Sequence, residues 1–317
     1  MKLSVVEGYV PTGTWDFRAG MTAEQVLEAA RKADEAGMDG LFAGDHVTFY
    51  GSGSDALINL AAVATVTKRV KLMTSVFLLA LRHPTPVALQ CAMLDQLSNG
   101  RLILGVGIGG EDPNEWWACG IDPKTRARRT DEALEIMRSL WTQEETTFHG
   151  KYFQLEKVRM QPKPFRDEGV TIHIGGRSDA ALRRTARFGD AWMAIWVSPR
   201  RMKEAREKID EWAVAEGREG AQIGLGFQLW HALDDDRDKA RERLARRMQS
   251  VYQIPFDRFE RYCPYGTAED IAEFLMPYIE AGCGHLNLLA VQPSQDEVVD
   301  AGLAVKAAIA KMAGAKA

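Results

Sequence analysis

The sequence predicts an α/β chain closed into a (β/α)8 barrel of the TIM type, carrying an inserted β-hairpin and loop insertions. Three observations carry this expectation. Eight short apolar segments alternate with segments of helical pattern along nearly the whole chain. The chain has 317 residues, which suits one barrel domain spanning residues 1–317. One segment, 145–165, breaks the alternation and reads as an insertion.

The elements follow in order. Residues 2–6 (KLSVV) read as the first strand. A helix is expected over 22–36, with Thr22 as N-cap and Gly37 as its stop. The second strand covers 39–44, and a helix follows over about 55–67. The third strand covers 70–77, and a helix starts after Pro84 and Pro86. The fourth strand covers 101–107, with its helix at about 124–141. TTFHGKYFQL reads as a hairpin turning at His149-Gly150. The fifth strand covers 170–176, its helix 179–188, and the sixth strand 190–196. A helix over about 199–215 leads to the seventh strand at 223–230 and a helix at 235–249. Residues 251–265 read as a long loop. The helix at 268–282 is expected to bend or break at Pro277. The eighth strand covers 285–291, and a closing helix spans 294–313. Apolar strands joined by helical crossovers imply a parallel sheet covered on its outer face. The run Gly105-Val106-Gly107-Ile108-Gly109-Gly110 superficially suggests a dinucleotide fold instead, but no helix starts directly from it.

Composition narrows the function classes. Apolar residues make up 46% and charged residues 26%, and 40 basic against 44 acidic side chains give a net charge of −4. Such a surface offers no electrostatic reason to bind nucleic acid or an anionic membrane. Arg241, Arg243, Arg246 and Arg247 lie among acids at helical spacing and read as a solvated face. The four cysteines form no C-x-x-C pair, so reduced thiols and a cytoplasmic location are expected. The opening MKLSVVEGYV contains Glu7 and reads as a strand, not as a signal peptide. No apolar run approaches the roughly 18 residues of a membrane helix. The six histidines lack zinc-site spacing, so no metal centre is expected. Neither a G-x-S-x-G elbow nor a phosphate-binding P-loop is present.

A barrel of this type carries its active site at the C-terminal ends of the strands. Asp45-His46 ends the second strand, and an imidazole there suits general acid or base work. The same pair also suits a histidine hydrogen-bonded within a loop. Glu7, Glu111 and Glu115 are candidate carboxyl groups near the mouth; each equally suits a loop carboxylate capping a backbone N–H. Gly175, Gly176 and Arg177 precede a helix start at Ser178 or Asp179, which suits a phosphate site. The alternative there is a turn that simply needs glycine. Trp116, Trp117 and Trp196 are candidates for an aromatic wall, whereas Trp141, Trp192 and Trp212 read as packing residues.

Five pieces recur in order along the chain: EAGMDGLFAGDHV, RHPTPVALQCAMLDQLSNGRLILGVGIGG, FHGKYFQLEKVRMQPKP, IHIGGRSDAALRRTARFGDAWM and GTAEDIAEFLMPYIEAGCGHLNL. In these the chain resembles the luciferase-like monooxygenase superfamily, and specifically its branch using the deazaflavin coenzyme F420. The resemblance implies a homodimer with a flavin-type ring in the barrel mouth. It implies a non-prolyl cis peptide at Ser75-Val76, with Asp45, Ser75, Val76 and Gly107 around the ring. The coenzyme phosphate is expected at Gly175, Gly176 and Arg177. His46 is expected to move the proton coupled to hydride transfer, and Glu111 to protonate the coenzyme or orient a water. The GDHV ending of the second strand favours F420 over FMN. The alternatives are a two-component FMN monooxygenase and a flavin-binding protein without catalysis. A mouth plugged by Trp116 or Phe49 would favour the last. The substrate is expected to be small or medium-sized and apolar.

Overall fold

The computed structural model describes residues 7–11 and 22–315. In chain order the elements are β1 (Glu7–Pro11), α1 (Ala23–Glu35), β2 (Gly40–Ala43), β3 (His46–Phe49), β4 (Ser52–Ser54), α2 (Ala56–Ala64) and β5 (Lys71–Leu78). Next come α3 (Pro84–Leu97), β6 (Leu102–Gly107), α4 (Pro113–Ala118), α5 (Arg126–Thr142), β7 (Thr146–His149), β8 (Gln154–Val158) and β9 (Thr171–Gly175). The chain continues with α6 (Asp179–Phe188), β10 (Ala191–Ile195), α7 (Pro199–Ala215), β11 (Gly224–Leu233) and α8 (Arg237–Tyr252). It ends with β12 (Tyr265–Gly266), α9 (Ala268–Glu280), β13 (His285–Ala290) and α10 (Gln295–Ala315).

Strands β1, β2, β5, β6, β9, β10, β11 and β13 form the barrel. Each pairs parallel with the next in chain order, and β13 pairs back with β1. Closure leaves these strands no open edge to protect. Every residue of β6 is buried, as a strand covered on both faces requires. Phe42, Met73, Ile103 and Met193 pack together inside the barrel. Their sequence neighbours Leu41, Leu72, Leu102 and Leu104 belong to the layer beneath the helices. This is the two-residue period of a strand with different environments on its two faces. On the other side of the molecule Leu225, Phe227 and Leu229 pack with Ile209, Ile271 and Leu275.

Local signals fix the helix ends. Thr22 caps α1 in a reciprocal capping box with Gln25, and Gly37 follows in the left-handed conformation at φ 88°. Asp55, Ser178, Ser198 and Asp236 each accept backbone N–H groups at later helix starts. A cap of this kind is worth about 1 kcal/mol.

Several expectations need correction. Residues 2–6, read as the first strand, lie outside the described residues. Within β1, Glu7 is in register with His285, the first residue of β13, so its backbone sits at the N-terminal end of the barrel, away from the mouth. Pairing with neighbouring strands sets that register, and an apolar run does not encode it. Residues 46–54 form the β3–β4 hairpin. In the long loop at 251–265, the first two residues complete α8, two single turns follow that bury Phe256, and β12 adds to β11. Pro277 does not break α9, which continues to Glu280. It lies in the last turn, and the carbonyl it leaves without a donor belongs to exposed Glu273. The inserted hairpin is present as β7 and β8, with Gly150 N–H donating to the Phe153 oxygen at 2.9 Å.

Candidate functional site

The end of β2 turns sharply upward, and Asp45 fixes that turn. Its carboxylate is buried and takes two bonds from the Arg82 guanidinium, at 2.7 and 2.9 Å. It also accepts the N–H groups of Leu78, at 3.0 Å, and Ala56, at 3.4 Å. Bidentate charge-assisted bonds of this kind are strong and directional. Asp45 therefore ties the ends of β2 and β5 to the start of α2, and both its oxygens are occupied by protein.

The next residue, His46, faces the opposite way. Its Nδ1 lies 3.2 and 3.1 Å from the two carboxylate oxygens of Glu115. Glu115 is buried on α4 and also accepts the Val47 N–H at 2.6 Å. A carboxylate taking that N–H has only acceptors to offer, so Nδ1 carries the proton and Nε2 is the basic nitrogen. The imidazole stacks on Phe49 with centroids 4.2 Å apart. Asp112, the N-cap of α4, accepts the Tyr50 N–H at 2.9 Å and locks the β3–β4 hairpin onto α4. The sequence places Glu115 with Glu7 and Glu111 near the mouth but does not pair it with His46. It does carry a usable signal: Asp112-Pro113 is a helix start, which places Glu115 at the third helical position, in the first turn.

Glu111 lies elsewhere in the same loop. Its main-chain oxygen accepts from the Tyr50 hydroxyl at 3.3 Å, and its side chain is exposed. The phenol of Tyr252 is pushed up from its ordinary range, by burial first and also by the negative charge of Glu111. Of the two glutamates in this loop, Glu115 is the one whose carboxylate meets His46.

At the end of β5 the Ser75-Val76 peptide is cis. Val76 stands where glycine alone leaves room. A Cβ at Gly107 would come 2.3 Å from one Val76 methyl, and a Cβ at Gly175 would come 2.9 Å from the other. Both glycines therefore leave room for Val76. Gly176 has φ 128° and accepts the Trp192 indole N–H at 2.8 Å on its carbonyl. Arg177 is exposed, with its guanidinium 5.4 Å above the Trp196 ring. Ser178 caps α6 through the Ala181 N–H, so the helix start and Arg177 lie side by side.

An aromatic wall lines the β10 and β11 side of the mouth. Trp196 adopts φ 51° and packs on Tyr252 and Phe259, at 5.0 and 4.8 Å between centroids. The Trp230 indole donates to the Tyr252 hydroxyl at 3.1 Å. Trp116 does not belong to this wall, because it is fully buried with Leu78, Ala80 and Leu81. The adjacent Trp117 is 60% exposed, since successive residues of a helix face different directions. Trp141 and Trp192 are packed in the core, as expected.

A profile described as luciferase-like monooxygenase matches residues 6–285. The chain belongs to this family. Among luciferase-like relatives it is 29% identical over 294 residues to an F420-dependent glucose-6-phosphate dehydrogenase of Amycolatopsis mediterranei, covering 82% of this chain and 86% of that protein. Its fold matches an F420-dependent secondary alcohol dehydrogenase in complex with an F420-acetone adduct, with a TM-score of 0.81 and 25% identity. That match covers 95% of this chain and 98% of the other. A type II Baeyer-Villiger monooxygenase of Pseudomonas putida in complex with FMN gives a TM-score of 0.75 at 20% identity, covering 96% and 98% of the two chains. This last likeness shows the fold alone. The luciferase-like chain is accordingly an enzyme of an oxidoreductase family.

Proposed function

We propose that this enzyme is an F420-dependent oxidoreductase that moves a hydride between the deazaflavin and a small or medium-sized apolar substrate. The observation that carries the reading is the His46–Glu115 pair at the end of β2, beside the Val76 platform at the end of β5. The residues present fit a flavin-type coenzyme. Val76, held between Gly107 and Gly175, offers an apolar support for a flat ring. The start of α6 with exposed Arg177 suits a phosphate.

When bound, the coenzyme supplies a ring carbon that gives or accepts a hydride. The protein's own groups do the rest. Glu115 holds the Nδ1 proton of His46 and thereby directs Nε2 at the substrate oxygen, where it takes or returns the coupled proton. Asp45, with Arg82, is the positioning residue for that turn. Gly175, Gly176 and Arg177 would receive the phosphate, and Glu111 would hold a proton or orient a water. Trp196, Trp230, Tyr252 and Phe259 exclude water around an apolar substrate.

The test is titration of the purified protein with F420 and with FMN, oxidised and reduced, followed by tryptophan fluorescence. Saturable binding of F420, with FMN at least about tenfold weaker, is the expected result. Preference for reduced FMN would move the enzyme to oxygen-using chemistry, and binding of neither would remove the coenzyme reading.

A homodimer is part of the same proposal. Leu89, Met93 and Leu97 repeat along one face of α3 and are 39%, 44% and 64% exposed, and Ile58 on the adjacent α2 is 70% exposed. An apolar stripe of this kind suits a second copy of the chain. Light scattering is expected to give twice the 35.2 kDa chain mass; a monomer at micromolar concentration would refute it. Four unpaired cysteines support a reducing, cytoplasmic setting. Among the described residues, no helix is long and apolar enough to cross a membrane.

A further inference from the structure

Beneath the mouth, Ser75 of β5 meets Asn287 and Gln228, register partners on the neighbouring strands β13 and β11, inside the barrel. Asn287 on β13 donates from Nδ2 to Ser75 Oγ at 2.9 Å and to Gln228 Oε1 at 3.4 Å. The Ser75 hydroxyl on β5 in turn donates to the same Gln228 oxygen. Strands β5 and β11 are the third and seventh of the barrel, so this contact crosses the barrel axis. The Asn287 oxygen is taken by His285 Nε2 at 2.9 Å. The bonds therefore run in one direction, from His285 through Asn287 and Ser75 to Gln228, and end on the amide oxygen.

That ending decides which way the Gln228 amide points. Its oxygen receives two donors, so its NH2 group must point away from both. Among the described residues that nitrogen has no partner. The layer below is closed by Phe42, Met73, Ile103 and Met193, with Met193 packed against Gly226, two residues before Gln228. Asn287 is fully buried, whereas Gln228 keeps part of its surface exposed. Its open side is the mouth.

We propose that Gln228, oriented by Ser75 and Asn287, donates an amide hydrogen bond to a carbonyl oxygen on the pyrimidine edge of the coenzyme ring; this rests on the coenzyme reading above. That edge accepts hydrogen bonds at its carbonyl oxygens, its N3–H can only donate, and it gains negative charge when a hydride is added to the ring. A fixed neutral donor therefore binds the reduced form more strongly than the oxidised form, because bonds to charged acceptors are the stronger ones. Ser75 and Asn287 act through Gln228 and are positioning residues.

The test measures the affinity of oxidised and reduced F420, and of its ring-plus-ribityl fragment lacking phosphate, for wild type, Gln228→Met and Gln228→Glu. Loss of a neutral bond weakens oxidised binding about fivefold and reduced binding more than about tenfold. The midpoint potential of the bound coenzyme falls accordingly. Gln228→Glu keeps the side chain's shape but replaces the donor by an acceptor, so its loss is the larger; it also serves as the second variant if Gln228→Met does not fold. The fragment loses affinity by the same factors, whereas Arg177→Ala weakens F420 and leaves the fragment unchanged. Wild type that binds F420 while both Gln228 variants stay within about twofold, with unchanged potential, overturns this inference and leaves the coenzyme reading intact. Wild type that binds neither F420 nor FMN overturns both.

Discussion

Replacing His46 by Ala is expected to lower turnover at least about a hundredfold, the usual contribution of a positioned acid–base group. Coenzyme affinity should change far less, because the lost group acts on the substrate oxygen. Stopped-flow measurement of coenzyme reduction separates the two effects. Glu115→Gln should cost about tenfold. It keeps the shape of the side chain but removes the charge that fixes the Nδ1 proton and faces the imidazolium when His46 takes a second proton. Near-normal turnover in His46→Ala would remove that residue from the proton step. Unchanged turnover in Glu115→Gln would reduce Glu115 to a capping carboxylate for Val47.

The second large effect is on acid stability. Burial lowers the His173 and His231 imidazoles from 6.5 to about 4. His285 is lowered well below its ordinary value, by burial first and by His173 second. Among the described residues, both ring nitrogens of His231, and Nδ1 of His173, are buried without a hydrogen-bond partner. A proton added to such a ring places an unpaired charge in the interior. The sign follows directly. The unfolded chain takes up protons at these rings as pH falls through about 6.5, and the folded chain refuses them until about pH 4. Stability is therefore complete above about pH 6.5 and is lost on going down. The shift of 6.5 to about 4 corresponds to about 3 kcal/mol for each of His173 and His231. Asp34 and Glu132, whose carboxyls are held low by backbone N–H groups after offsetting their burial, lose their contribution only at lower pH. In the window from about pH 6.5 to about pH 5 the histidines lower stability as pH falls, while Asp45 and Asp95, whose carboxyls burial raises, act in the opposite direction. Urea midpoints should fall steeply across it. In His231→Leu the slope should be smaller by about 1.4 kcal/mol per pH unit. An unchanged slope would mean that His231 is not held neutral in the fold.

The sequence by itself determined the barrel. Apolar strands alternating with capped helices can bury both faces of a parallel sheet in few ways, and Thr22, Gly37 and Ser178 mark helix ends by local chemistry alone. It also determined that Asp45-His46 lies at a strand end, since element order maps directly onto the mouth of such a barrel. Tertiary structure decided what each of these groups does. Asp45 pairs with Arg82, thirty-seven residues away, and His46 with Glu115, sixty-nine residues away. No local spacing encodes either pair. Gly107 and Gly175 each leave room for Val76, a contact between separate strands that no local spacing encodes. Gln228 carries no sequence signal; its role rests on Asn287 of the neighbouring strand and Ser75 from across the barrel meeting its oxygen. Strand register fixed the rest, including the removal of Glu7 from the mouth. Periodicity reports which face of a strand is buried; how far the strand slides along its neighbours is decided only when the barrel closes.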